Sequence, residues 1–123
     1  MLKVTGLIKP TAVSLYHIIN YKKVIMEIMV KFELLAQEEQ TENIKQFFET
    51  ILQDTRDYEG CNGAQVGRLE KEPNKIVLTE YWKSNEHFQK YLEWRKNIGD
   101  FETLGNMLST NPDIQIFELI TTA

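Results

Sequence analysis

Residues 80–95 read EYWKSNEHFQKYLEWR, a stretch holding both tryptophans, two of the five tyrosines, one of the two histidines and an arginine. Placed on a helix, Phe88, Tyr91, Leu92 and Arg95 share one stripe, and His87, Tyr91 and Trp94 share the stripe beside it. Phe88 and Leu92 have the spacing of core residues. Tyr91 and Arg95 have a further use, because a guanidinium beside aromatic rings at a core edge can orient an anionic or phenolic oxygen. Trp82 ends a strand just before a helix cap, where a large ring can wall a cleft and its N–H seeks a partner. Glu80 points to the same side as Leu78 and Trp82. A carboxyl buried there needs a salt-bridge partner or a raised pKa, and the second case makes it a proton acceptor. His87 falls in the first helical turn beside Asn85 and Glu86, a polar setting that fits a solvated imidazole more readily than a general base. Tyr91 and Arg95 are thus the candidate catalytic pair, with Trp82, Phe88, Trp94, Glu80 and His87 as candidate substrate-binding residues.

Other chemistries find little support. Fourteen basic and eighteen acidic side chains give a net charge of −4, with no basic run to follow a nucleic acid backbone. The single cysteine, Cys61, permits no intrachain disulfide and fits a reducing, cytoplasmic setting. It has no His or Lys neighbour to activate a thiolate. Two separated histidines and one cysteine lack zinc spacing, so no metal is expected. No apolar run approaches the roughly 18 residues of a membrane span. The N-terminal Thr11–Ile19 stretch is short, contains His17, and is not followed by a small-x-small cleavage pattern.

The elements that must carry these residues follow from periodicity. In VIMEIMVKFELLA, Met26, Ile28, Val30, Phe32 and Leu34 alternate with Glu27, Lys31 and Glu33, the pattern of a half-buried strand. Thr41 is placed to cap a helix with Ile44, Phe47, Phe48, Ile51 and Leu52 on one face; Tyr58 closes the pattern and Gly60 stops it. CNGAQVGRLE reads as a strand bent at its glycines, KEPNK as a turn, and IVLTEYW as a strand apolar on both faces. Ser84 caps the helix NEHFQKYLEWRKN, Gly99 interrupts it, and Phe101, Leu104, Met107 and Leu108 continue a helical stripe. After Asn111-Pro112-Asp113, IQIFELI is the last strand. The order strand, helix, strand, strand, helix, strand predicts an α+β, ferredoxin-like split βαβ sandwich with both helices on one face of an antiparallel sheet. Apolar residues on the other face predict a homodimer in which two sheets pack together. Residues 24–123 are expected to make up the domain; residues 1–23 fall outside this unit and are expected to be a peripheral N-terminal arm, the alternatives being a strand or helix that packs on the dimer or residues upstream of the true start.

The region from about Met26 to Ile120 resembles the antibiotic biosynthesis monooxygenase family of dimeric α+β barrels. The resemblance rests on the Tyr58-Glu59-Gly60-Cys61 turn and on Glu80, Trp82, Ser84, Glu86 and Phe88 in an E-x-W-x-S-x-E-x-F signature. Tyr91, Trp94, Arg95, Gly99 and Asp100 add the pattern of a subgroup. It implies oxidation of a phenolic or quinol-like aromatic compound by O₂ without flavin or metal, in an apolar cavity between helices and sheet. Many members have a histidine nine residues after the signature tryptophan; here it is Tyr91, a poor base at an ordinary pKa near 10. Haem-degrading relatives use an Asn, Trp and His set. Lys31, Tyr91 and Phe101 stand near those positions, which argues against haem breakdown. The alternative is a non-catalytic dimer of the same fold that binds an apolar small molecule or serves a stress-related role.

Overall fold

The computed structural model describes residues 27–122. The expected arm, with His17 and the Met26 end of the first strand, lies outside the described residues. Strand β1 (Ile28–Leu35) is followed by helix α1 (Thr41–Asp57), strands β2 (Cys61–Leu69) and β3 (Glu72–Trp82), helices α2 (Asn85–Asn97) and α3 (Asp100–Gly105), and strand β4 (Asp113–Glu118). The sheet order is β2-β3-β1-β4, and each neighbouring pair is antiparallel. This is the expected α+β, ferredoxin-like arrangement.

Alternation in β1 does what its pattern predicts: Ile28, Val30, Phe32 and Leu34 are all buried. Across the central ladder Ile28 pairs with Trp82, Val30 with Glu80, Phe32 with Leu78 and Leu34 with Ile76. A strand's side-chain period of two therefore puts Glu80 on the core side, between Leu78 and Trp82. Ile44 and Phe48 of α1 and Phe88 and Tyr91 of α2 complete the core above this face. Ser84 caps α2 as expected, its hydroxyl accepting from the His87 backbone N–H at 3.2 Å. Gly60 takes φ +90° in the turn after α1, a left-handed conformation that favours glycine.

Four local expectations are corrected. Thr41 is the first helical residue rather than the cap; Gln40 holds that position without a side-chain bond to the backbone. The β2–β3 turn falls at Glu70-Lys71, and Pro73, Asn74 and Lys75 belong to β3. Pro73 is tolerated there because it lies beyond Lys75, whose pairing with Leu35 is the last on the β1 side, so its missing N–H removes no rung of that ladder. The helical stripe after Gly99 ends at Gly105, and Leu108 instead forms a single bridge with Ala36. The last strand stops at Glu118 and is exposed along its length, including Ile114, Ile116 and Phe117.

The outer face of the sheet is mixed. Tyr81, Met29 and Phe117 lie side by side across β3, β1 and β4, and Tyr81 and Met29 are half-buried. Lys31 and Glu33 form an ion pair on the same strand at 2.8 Å.

Candidate functional site

Two turns of α2 bring Tyr91 and Arg95 against the C-terminal half of α1. The Arg95 Nε donates to the Tyr91 hydroxyl at 2.9 Å, and an Nη donates to the Thr55 hydroxyl and the Ile51 carbonyl, each at 3.0 Å. Its other Nη pairs with Asp100 Oδ2 at 2.7 Å. Thr55 and Tyr91 share a 2.8 Å hydrogen bond, and Thr55 reaches the Ile51 carbonyl at 3.4 Å. One polarity satisfies every group: Arg95 donates to both hydroxyls, Tyr91 donates to Thr55, and Thr55 donates to Ile51. Burial and the Glu80 charge push the Tyr91 phenol up to about 12. Tyr91 is therefore a neutral hydroxyl near neutral pH and not a base. Burial works against the Arg95 cation, but its bonds to Tyr91 and Asp100 outweigh this and hold its pKa above the ordinary arginine value.

Below this network lies a nest of rings. The Trp82 and Tyr91 centroids are 4.8 Å apart, Tyr58 stacks on Trp94 at 5.2 Å, and the Arg95 guanidinium lies 4.6 Å from the Trp94 ring centre. Trp82 is fully buried and its indole N–H donates to Glu80 Oε1 at 2.9 Å. Glu80 is only 1% exposed. Burial raises its pKa from 4.5 to about 7, against the lowering influence of the Trp82 bond and of Arg95. A carboxyl of this kind gains and loses a proton near neutrality.

Glu80, Tyr91, Arg95, Thr55 and Asp100 meet at one cavity, otherwise walled by apolar side chains such as Phe32, Phe47, Leu78 and Phe101. Its volume is about 30 Å³, room for one or two waters. The structure thus gathers Glu80, Tyr91 and Arg95 of the candidate residues. Trp82 stands behind them as the hydrogen-bond donor to Glu80, and Trp94 backs Arg95. Phe88 is fully buried, with its ring 6.2 Å from that of Phe32, and does not line the cavity. His87 lies apart: its ring packs against Gly60, with Nδ1 2.7 Å from the Ser84 hydroxyl.

Thr55 is the residue that sequence reasoning missed. Its spacing after Ile44, Phe48 and Ile51 extends the buried stripe of α1, and a threonine in such a stripe signals a buried hydroxyl in need of a partner. Burial pushes the Cys61 thiol up, and Sγ rests 3.5 Å from the Gly63 carbonyl. Among the described residues, no three His, Cys, Asp or Glu side chains are grouped to hold a metal ion, and no helix is long and apolar enough to cross a membrane. A larger groove of about 390 Å³ runs between α1 and the β2 edge, with Phe48 and Leu52 common to its wall and that of the small cavity.

The fold is that of several solved structures. A conserved protein from Methanosarcina mazei superposes with a TM-score of 0.71 at 18% identity, covering 80% of this chain and 97% of its own. A protein of unknown function from Nitrosomonas europaea gives 0.70 at 15%, covering 80% and 94%. The cofactor-independent oxygenase SnoaB from Streptomyces nogalater gives 0.69 at 12%, covering 78% and 95%. At these identities the likeness is one of fold. No curated protein matches the chain in sequence. The sequence profile named Antibiotic biosynthesis monooxygenase, however, matches residues 27–95, more than half of the 123. That span runs from the start of β1 through Glu80, Trp82, Tyr91 and Arg95, and the chain belongs to the antibiotic biosynthesis monooxygenase family.

Proposed function

We propose that the protein oxidises a phenolic or quinol-like aromatic compound with O₂, needing neither flavin nor metal. The observation that carries this reading is the meeting of a buried carboxyl, Glu80, and a buried cation, Arg95, in one cavity whose wall is mostly apolar. Loss of a phenolic proton makes the ring electron-rich, and Arg95 offsets the negative charge where water cannot. Tyr91 and Thr55 hold the guanidinium in place. For a substrate with a ring CH₂ conjugated to the phenol, the anion passes its electrons to O₂ and a carbon–oxygen bond forms. The hydroperoxide then loses water, breaking the O–O bond, so that CH₂ and O₂ become C=O and H₂O. The substrate supplies all the electrons, and no external reductant is required.

The cavity is smaller than any aromatic ring. Entry therefore requires its apolar walls to move apart. The same observation favours a second reading, a non-catalytic binder of apolar molecules. A homodimer built on the Tyr81, Met29 and Phe117 row accompanies either reading.

The two are separated by following O₂ with an electrode while purified protein is incubated with hydroxyanthrones and reduced naphthoquinones, with a chelator present. Uptake above the uncatalysed rate is expected for at least one compound. Background rates across the whole panel, together with measurable binding, would establish the binder instead.

A further inference from the structure

We infer that Glu80 is the group that takes the phenolic proton of the substrate; this rests on the reading of the cavity as a site for phenols. Of the polar side chains lining it, only Glu80 is suited to the task. Asp100 is committed to Arg95 at 2.7 Å. Tyr91 and Thr55 spend their protons within the network around Arg95, which is itself a cation. His87 is not among the lining residues.

Glu80 is also held for the work. Trp82 fixes Oε1 through its indole N–H at 2.9 Å. An indole donor binds a carboxylate more strongly than a carboxylic acid, so Trp82 favours the ionised form and limits the rise in pKa that burial causes. The resulting acidity is that of a base matched to neutral pH.

Charge is conserved within the cavity during the step. Before transfer the negative charge sits on the Glu80 carboxylate; after it, Glu80 is a neutral acid and the same charge sits on the substrate oxygen, while Arg95 keeps its pairing with Asp100 throughout. The O–H bond of the phenol breaks, the new O–H forms on Glu80, and no unpaired charge is created in the apolar interior. Trp82 acts through Glu80 as a positioning residue.

The inference is tested without oxygen, so that it stands or falls apart from the oxygenase activity. The probe is 3-nitrophenol at about pH 7.5, where the free phenol is mostly un-ionised and its anion is coloured. With wild-type protein, anaerobic titration is expected to bring up the anion band, together with an infrared band of a newly protonated carboxyl. The carboxyl band should be absent in Glu80→Gln and return in Glu80→Asp. If an active substrate is found, Glu80→Gln should lower kcat/KM by roughly 100-fold or more. The wild-type rate should rise with pH through about 7, and Trp82→Phe should move that rise to higher pH by removing the indole donor. Ionisation of the bound phenol with no O₂ uptake on any substrate would remove the oxygenase and leave the proton acceptor. Failure of the phenol to bind, binding in neutral form, or an anion band that rises in the wild type without the new carboxyl band would overturn the inference. So would a Trp82→Phe pH profile that matches the wild type.

Discussion

Trp82 donates its indole N–H to Glu80 across 2.9 Å, two residues along one face of β3 and out of reach of bulk water. The bond joins the largest apolar side chain of the core to the one carboxyl beneath it. It lowers the cost of a carboxylate there without abolishing it, because burial still lifts the Glu80 pKa from 4.5 to about 7.

That cost should be visible in stability. The folded-state pKa of Glu80 lies above the value for an exposed glutamate, so folding favours the protonated form. The associated stability is complete below about pH 4.5 and is lost as pH rises through about 7. The loss amounts to about 3 kcal/mol. Glu80→Gln keeps an acceptor for Trp82 and removes the charge. Its Tm should exceed that of the wild type at pH 8 and vary less between pH 4.5 and 7. Parallel thermal-melting curves for the two proteins across this range would show that Glu80 ionises as an ordinary surface acid.

Arg95 ties α1, α2 and α3 together through Ile51, Thr55, Tyr91 and Asp100. Removing it leaves the Asp100 carboxylate without its cation and takes one donor each from Tyr91, Thr55 and the Ile51 carbonyl. Arg95→Ala is expected to destabilise the fold by about 3–5 kcal/mol, the usual range for breaking a buried pair from one side. Tyr91→Phe should cost about 1–3 kcal/mol, the range for leaving a buried donor unsatisfied. Urea denaturation gives both values; a larger loss for Tyr91→Phe than for Arg95→Ala would contradict Arg95 as the centre of the network.

Gly60 is required twice over, by its φ of +90° and by the His87 ring packed where a Cβ would go. Gly60→Ala should cost at least about 2 kcal/mol, the sum of backbone strain and crowding. In a His87→Ala background the crowding disappears and the strain remains, roughly 1 kcal/mol. An equal cost in both backgrounds, measured as a double-mutant cycle, would rule out the contact as a source of the glycine requirement.

The row of Tyr81, Met29 and Phe117 crosses three strands on the sheet face away from the helices. If two such faces pack together, a charge at Phe117 is buried without a partner. Phe117→Lys should then convert a wild-type dimer into a monomer in sedimentation velocity, with little change in circular dichroism. A wild-type monomer at micromolar concentration, or a Phe117→Lys dimer of unchanged strength, would refute this packing.

Much of this molecule is decided by local pattern. The period-two alternation of Ile28, Val30, Phe32 and Leu34, the stripe of Ile44, Phe48 and Ile51, and the Ser84 cap each act within a few residues, so elements and fold class were legible directly. Glu80 could be assigned to the core face by parity with Leu78 and Trp82, and the need for a partner followed from burial. The extent of that burial, and the choice of Trp82 as partner, depend on how β3 packs beneath α2. Thr55 and Tyr91 are 36 residues apart in the chain, and Arg95 reaches the Ile51 carbonyl across 44. Such pairings exist only once α1 and α2 lie side by side on the sheet. The tertiary structure alone therefore decided that the Tyr91 hydroxyl is raised above an ordinary tyrosine and tied between Thr55 and Arg95, because its pKa and partners reflect the burial and charges that surround it in the fold.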